Sequence, residues 1–306
     1  NKEWFNSNED YRLMKQTAII LFAFMLTATA AAQGLGPLYE KSDSIKIEKL
    51  LGEGFRQPVG TCLPLFYAKK FVGIPYVGAT LEVSQRERLV VNLRQLDCTT
   101  LVETVTALVL TQHHGQRDFG SFCHWLQTIR YDNGTIRDYT SRNHYFSSFI
   151  LNAERMKLAH EIVPADCGKS SLFAGSKRLD LHFMSRHYDR YPSLKKNPAL
   201  IAGIKRTEKE LTGTLVRYIP IKSLGKSKAL KQAVHDGDIL AIVTNRDGLD
   251  ISHVGFAAWG KDGCLHLLNA SSLHHKVVLE TKTLQAYLRT QKLQPGIRVI
   301  RIAGCR

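Results

Sequence analysis

Three residues that lie far apart in the sequence carry side chains suited to thiol chemistry. Cys98 follows Asp97 at the start of a long apolar stretch, while His253 and Asn269 lie in the apolar segments SHVGF and LLNAS. A thiol attacks as the thiolate, and thiols at helix N-termini ionise more readily because unsatisfied N–H groups carry partial positive charge. A base must take the thiol proton, and a third polar group commonly orients that base. The pattern predicts Cys98 as nucleophile, His253 as base and Asn269 as orienting residue.

Each of the three also has an interpretation without catalysis. A cysteine at a helix start is typical of an inert buried thiol, and a histidine opening a strand is typical of a hydrogen-bonded structural residue. An asparagine at a strand end is a common turn residue. His266 is an alternative third member, although it lies three residues before Asn269 and would face the opposite side of a regular strand. The catalytic prediction therefore depends on Cys98, His253 and Asn269 occurring together in one chain.

The elements that must position these residues can be predicted from apolar spacing. Apolar residues recur every three or four positions after Asp97, which predicts a helix that Asp97 or Thr99 caps. A shorter amphipathic helix is predicted from Ser42 to about Phe55. The last quarter of the chain has short apolar runs separated by turn residues, which predicts antiparallel strands at Asp238–Val243, His253–Trp259, Cys264–Asn269, Lys276–Glu280 and Gly296–Ile302. The fold class is α+β, with loops and short helices in the middle third.

The first 33 residues are interpreted as an upstream extension and a signal peptide. Met14 and Lys15 precede a short apolar stretch from Thr17 that ends in small residues at Ala32, which is typical of a cleaved secretory signal. The residues before Met14 suggest an over-extended start site. We therefore expect residues 34–306 to form a single exported catalytic domain, with a helical N-terminal part, a C-terminal antiparallel sheet and no stable membrane anchor.

Composition narrows the classes of partner. The formal net charge is +15, but the basic residues are scattered and no nucleic-acid-binding signature accompanies them, so an anionic wall polymer fits better than nucleic acid. A solvated basic surface without a specific partner is the alternative. The six cysteines include no CxxC pair, no HExxH motif is present, and no metal or other cofactor is predicted. Disulfide pairing and oligomeric state stay open.

Several motifs occur in a fixed order along most of the chain. They are PYVG at 75–78, TLE at 80–82, DCTT at 97–100, NHYF at 143–146, GDI at 237–239, SHVG at 252–255, NAS at 269–271 and GIRVIR at 296–301. This set resembles the N-acetylmuramoyl-L-alanine amidase-like family, within the NlpC-type branch of the papain-like cysteine hydrolase superfamily. The resemblance implies a papain-like antiparallel sheet of about six strands, packed on a helix that carries the nucleophilic cysteine at its N-terminus. It departs at Asn269, where NlpC-type enzymes usually have histidine.

The resemblance also implies a periplasmic or otherwise extracytoplasmic enzyme acting on peptidoglycan or muropeptides. The expected reaction is cleavage of the amide between the muramic-acid lactyl group and L-alanine. Cleavage between γ-D-glutamate and the diamino acid, a non-catalytic murein-binding protein and a zinc amidase are alternatives. Tyr76 would line the site, Glu82 would bind a peptide amine, and His144 and Tyr145 would line the cleft; packed or solvated structural roles are open for all four.

Overall fold

An antiparallel sheet forms the centre of the structure, a computed structural model that describes residues 36–164 and 171–305. Eight strands lie within those ranges, in the spatial order β2-β3-β8-β4-β5-β6-β7, and β1 also pairs with β8. All seven strand pairings are antiparallel. The strands are β1 Ala159–Glu161, β2 Gly175–Arg178, β3 Leu215–Pro220, β4 Ile239–Val243, β5 Ile251–Trp259, β6 Leu265–Ser271, β7 Lys276–Leu279 and β8 Gly296–Ile302.

Helices cover this sheet and supply most of the N-terminal half. Within the described ranges the α-helices are α1 Lys41–Phe55, α2 Leu63–Lys69, α3 Cys98–His113, α4 Phe119–Arg130, α5 Phe146–Arg155, α6 Phe183–Arg186, α7 Pro192–Lys196, α8 Ile201–Leu211, α9 Lys228–Ala233 and α10 Leu284–Arg289. Residues Pro37–Arg306 form one compact unit.

The central strands are buried on both faces. In β4, Ile239, Ala241 and Val243 join the larger apolar core, which also contains the buried residues of α3. The alternate residues Leu240 and Ile242 join a second core on the other face. Successive side chains of a strand point to opposite faces, so a continuous apolar run such as ILAIV indicates a strand covered on both sides. The centre of the sheet thus lies between two apolar cores, one on each face.

Helix α3 lies in the larger core and contacts α1, α2, α4, β5 and β6. Every residue from Thr100 to Thr111 is buried, as expected of a helix that is apolar on nearly all sides. Inside this core the Glu103 carboxylate accepts a hydrogen bond from Arg130 Nε of α4 at 2.7 Å. Arg130 also donates from Nη1 to the Val90 carbonyl at 2.6 Å. The packing on β5 and β6 and this buried ion pair hold the N-terminus of α3 in place.

The predicted helices and C-terminal strands agree with the observed ones to within a few residues, but the sheet is larger than expected. The resemblance implied about six strands, whereas eight lie in the described ranges. The additional strands come from the middle third, where loops and short helices were expected. β2 reads GSKR and β1 only AHE, so neither has an apolar alternation that a sequence pattern could detect.

The predicted signal peptide lies outside the described residues, and its cleavage and the export of the chain stay predictions. Across residues 36–164 and 171–305, no helix combines the length and the apolar character needed to cross a membrane.

Candidate active site

Cys98 is the first residue of α3, and its thiol is partly exposed. Asp97 caps the helix: its Oδ1 accepts from Thr100 N at 2.8 Å, and its own N–H donates to Thr100 Oγ1 at 2.9 Å. This reciprocal pair fixes the first turn, as a capping box does. The unsatisfied N–H groups of that turn carry partial positive charge beside the Cys98 sulfur. Of the two capping residues considered from the sequence, Asp97 is the one observed.

Tyr76 is held beside the start of α3 by backbone pairing. Tyr76 and Leu96 form a parallel bridge, and the Leu96 N–H donates to the Pro75 carbonyl at 3.1 Å. Burial, together with the nearby Cys98 and Asp97 side chains, raises the pKa of Tyr76 to about 12. The phenol therefore keeps its proton at neutral pH, and Tyr76 lies where a residue lining the site was expected.

His253 and Asn269 are joined by a hydrogen bond across β5 and β6. His253 Nε2 lies 2.8 Å from Asn269 Oδ1, and the Asn269 side chain is completely buried. An amide oxygen only accepts, so Nε2 must carry the ring proton. The other ring nitrogen, Nδ1, is left for Cys98. The contact favours Asn269 over His266 as the third member of the predicted triad.

The pKa of His253 is raised above its ordinary value. Burial of the ring is the largest single influence and opposes protonation, but the combined effects of the nearby Cys98 sulfur, the Asn269 hydrogen bond and the Glu280 charge outweigh it. Because an imidazolium is favoured next to a thiolate, the arrangement suits proton transfer from sulfur to ring.

Gly255 gives Asn269 the space to approach His253. A Cβ atom at position 255 would lie 2.9 Å from Asn269 Cβ and 2.6 Å from the Leu268 carbonyl oxygen. Real side chains essentially never tolerate such distances, and backbone cannot move away as a flexible side chain can. Gly255 therefore marks a position where β6 approaches β5 closely, and this approach permits the contact between His253 and Asn269.

A carboxylate that the sequence analysis did not select lies behind Asn269. Asn269 Nδ2 donates to Glu280 Oε1 at 3.2 Å, and Glu280 Oε2 lies 3.3 Å from His274 Nε2. Glu280 follows the last residue of β7, and only 5% of it is exposed. From sequence a charged residue at a strand end resembles a solvated turn residue, and only its place at the end of a β6–β7 hairpin could have pointed to Asn269.

Tyr287 of α10 is a second residue near the site that the sequence analysis did not select. Burial raises its pKa, and the negative charges of Glu280 and Cys98 act in the same direction. Its position on a short helix after β7 carried no sequence signal for a role at the site.

His266 makes contacts of its own, away from His253. Its Nδ1 lies 3.1 Å from the Glu280 carbonyl oxygen, and its Nε2 lies 3.3 Å from each carboxylate oxygen of Asp262. Residues three apart on a regular strand face opposite sides, and the placement of His266 agrees with that expectation.

Two residues expected to contact substrate have their polar atoms engaged within the protein. Tyr145 is 2% exposed, donates from its hydroxyl to Glu208 Oε1 at 2.7 Å and accepts from Met184 N at 3.0 Å. His144 Nε2 lies 2.8 Å from the Tyr139 carbonyl oxygen, and burial lowers its pKa to about 3. The burial of Tyr145 corrects the expectation that it lines the cleft, whereas His144 is partly exposed and its cleft-lining role stays a prediction. From the sequence, aromatic residues in a polar motif look alike whether they line a cleft or pack inside.

Glu82 is also engaged, although it was expected to bind a peptide amine. Arg142 Nη1 approaches Glu82 Oε1 at 3.3 Å, and the Ser193 hydroxyl donates to Glu82 Oε2. The same Arg142 holds Glu87 through Nε at 2.5 Å and Nη2 at 2.8 Å. An amine would have to displace Arg142 or Ser193, so the structure assigns Glu82 to this network.

Three of the other described cysteines have thiols that resist ionisation. Burial raises the pKa of Cys123 and of Cys305 to about 12 and raises that of Cys62 as well. No disulfide joins the cysteines of residues 36–164 and 171–305, and Cys167 lies outside those ranges. In the same part of the chain, no group of three or more His, Cys, Asp and Glu side chains is arranged to hold a metal ion.

Comparison with known proteins places the chain in a family. A family model described as AmiA-like, N-acetylmuramoyl-L-alanine amidase-like, matches residues 67–297. A crystal structure of an N-acetylmuramoyl-L-alanine amidase from Bacteroides uniformis is 36% identical, with a TM-score of 0.71 over 78% of this chain and 97% of its own. A structure from Bacteroides fragilis, named "putative xylanase", is 39% identical, with a TM-score of 0.70 over 77% of this chain and 99% of its own.

A more distant structure shares the fold alone. It is a protein from Legionella pneumophila, 22% identical, with a TM-score of 0.64 over 86% of this chain and 95% of its own. No curated protein is significantly similar to the chain in sequence. Since the family model spans well over half of the 306 residues, the chain belongs to the N-acetylmuramoyl-L-alanine amidase-like family.

Proposed function

We propose that the protein is an exported cysteine amidohydrolase of peptidoglycan, with a papain-like, NlpC-type site in which Cys98 is the nucleophile. The observation that carries the proposal is the alignment of Cys98 at a helix N-terminus, His253 within its reach and Asn269 on the far ring nitrogen. Family membership supports the substrate class. Cys98, His253 and Asn269 have the roles of nucleophile, base and orienting residue.

The reaction follows from this geometry. The Cys98 proton moves to His253 Nδ1, and the thiolate attacks the amide carbonyl carbon, forming a C–S bond. The backbone N–H of Cys98 is one donor to the developing oxyanion. His253 returns the proton to the amide nitrogen as the C–N bond breaks, which leaves a thioester. His253 then takes a proton from water as the water oxygen attacks the thioester carbon, the C–S bond breaks to release the acid product, and His253 returns its proton to the Cys98 sulfur.

The bond we assign is the amide between the muramic-acid lactyl group and L-alanine. Support comes from the family description and from the Bacteroides uniformis relative, which is named for that activity. Tyr76, beside Cys98 with its proton retained, is placed to donate a hydrogen bond to a bound polar group. Tyr76 is the one predicted substrate-binding residue that we carry into the proposal.

Digestion of defined muropeptides with product masses tests the bond assignment. The proposed amidase frees the sugar from an intact stem peptide. A clipped stem with L-alanine still on the sugar would instead establish the γ-D-glutamyl endopeptidase. Loss of activity with a chelator, and its return with zinc, would establish the metal amidase.

The Bacteroides fragilis relative is named "putative xylanase", so glycoside hydrolysis has to be compared with amide hydrolysis as the activity of the site. Glycosidases generally need two carboxyl groups flanking the scissile bond. Two carboxylates lie beside this site among the described residues, and both are engaged: Asp97, next to Cys98 in the chain, caps α3, and Glu280 contacts Asn269 and His274. The geometry supports attack on an amide, and release of reducing sugar from xylan would contradict this assignment.

A further inference from the structure

We infer that Glu280 is a positioning residue, which sets the orientation of the Asn269 amide and places a negative charge behind His253. The inference rests on the proposed function, since it concerns how that same site is held. Glu280 is then the fourth residue in the row of contacts that Cys98, His253 and Asn269 form. It joins the row through a 3.2 Å contact between Asn269 Nδ2 and Glu280 Oε1.

Hydrogen-bond chemistry lets Glu280 fix the orientation of the Asn269 amide. An asparagine amide has a donating and an accepting end of almost equal size, so His253 by itself does not decide which end faces it. An ionised carboxylate only accepts, and Glu280 therefore selects the NH2 end of Asn269. The carbonyl end must then face His253 Nε2, where the 2.8 Å contact is found. This choice puts the ring proton on Nε2 and leaves Nδ1 to accept the proton of Cys98.

The position of Glu280 suits such a role. Its backbone N–H donates to the Leu267 carbonyl at 2.9 Å, which ties it to β6 two residues before Asn269. Its side chain is almost completely buried, whereas that of His274 is 52% exposed. Buried charges are usually paired, and here the partners are the Asn269 amide and the His274 ring. Glu280 is thus held in place by its backbone and side-chain contacts, and its partner His274 is exposed to solvent.

The negative charge of Glu280 acts on the imidazolium that forms during the reaction. The ionisable groups that face Glu280 are His274 from the β6–β7 turn, His253 from β5 and Tyr287 from α10. His266 contacts only its backbone carbonyl. A carboxylate in this position favours the charged ring, and the thiolate–imidazolium pair with it, over the neutral pair. A neutral side chain at position 280 should therefore lower the pH at which the ring loses its proton.

Two substitutions at Glu280 test this role in steps. In Glu280→Gln the charge is lost, and the amide oxygen can still accept from Asn269 but no longer forces its orientation, so we expect kcat to fall, by less than in Glu280→Ala. Without the charge, the basic limb of the kcat/KM profile should move down by roughly half a unit to one unit, because the imidazolium forms less readily. In Glu280→Ala the acceptor is also lost, and kcat/KM should fall by roughly tenfold to a hundredfold, as is typical when a residue that orients a catalytic group is removed.

A second readout needs no substrate. Iodoacetamide labelling of Cys98, followed by peptide mass, measures the fraction of reactive thiolate. Glu280→Gln should label more slowly at neutral pH than wild type, with half-maximal labelling at higher pH. His274→Gln is the matched control: it removes the exposed partner of Glu280 and keeps the contact with Asn269, so labelling and kcat/KM should stay within about threefold.

The outcomes distinguish this inference from the proposed function. If Glu280→Gln leaves both the basic limb and the labelling curve unchanged while Cys98→Ala abolishes activity, the role of Glu280 is wrong and the proposed function stands. If muropeptides are never cleaved but labelling shifts as described, the proposed substrate fails and the positioning role stands. If Glu280→Ala does not fold, the pH profile and the labelling curve of Glu280→Gln still test the positioning role.

Discussion

At the scale of single residues, the sequence motifs contain two kinds of polar side chain that only the structure separates. Cys98, His253 and Asn269 are linked in one row, with Asn269 completely buried behind the histidine. Tyr145 and Glu82, which belong to equally polar motifs, have their polar atoms bound by Glu208 and Arg142. A link to the Cys98 thiol, direct or through His253, rather than membership of a motif, separates a candidate site residue from a structural one.

Gly255→Ala tests whether the histidine–asparagine contact depends on space. The added Cβ would meet the Leu268 carbonyl and Asn269 Cβ, which forces β5 and β6 apart at the site. A displacement of about 1 Å can cost roughly a hundredfold, so we expect a loss of that order in kcat/KM. Gly225→Ala is the control, because the nearest atom to its Cβ would be Gln285 Nε2 at an ordinary 3.7 Å. Equal activities of the two variants would show that the contact is unimportant.

The pH behaviour of His253 follows from its raised pKa. Its unfolded value is about 6.5. Because the folded pKa lies higher, the protonated ring stabilises the fold fully below the unfolded value, and that stability is lost as pH rises through the folded value. An NMR titration should find the His253 ring still protonated above pH 6.5 in wild type, and less so in Cys98→Ala, where burial remains but the sulfur is gone. A ring that titrates identically in both proteins would contradict the Cys98–His253 pairing.

At the scale of elements, local patterns predicted most of what surrounds the site. The apolar periodicity after Asp97 and the turns near 245–248 and 260–263 are local signals, and the observed α3, β4, β5 and β6 follow them. What could not be predicted depends on distant partners. β3 joins the sheet through Ile219 and Pro220, which pair with β8 almost eighty residues later, and Glu280 reaches Asn269 only once the hairpin has formed.

The attachment of α3 to α4 can be tested through its buried ion pair. Arg130→Met leaves Glu103, only 3% exposed, without its cationic partner. Removing one member of a buried pair typically costs about 3–5 kcal/mol, and urea denaturation should find a loss of that size in the free energy of unfolding. Arg137→Ala breaks an exposed pair with Asp132 and should cost under about 1 kcal/mol. If both variants are equally stable, the pair does not hold the two helices together.

At the scale of the whole molecule, export is the prediction that the described residues leave open. Expression of the full chain in a bacterium, followed by fractionation and intact-protein mass, should find a product outside the cytoplasm that begins near Gln33 or Gly34. A signal sequence is cleaved after small residues, which this stretch supplies at 30–32. A cytoplasmic product that retains residues 1–33 would contradict export.

The dependence of product formation on Cys98 is the most direct test of the account. Wild type and Cys98→Ala, matched in circular dichroism and in the urea midpoint of unfolding, would be incubated with a muropeptide that carries a complete stem, and the products weighed. We predict free sugar and an intact stem peptide from wild type, and a rate lower by roughly a thousandfold or more in Cys98→Ala. Undiminished release of the intact stem by Cys98→Ala would contradict the thiol mechanism.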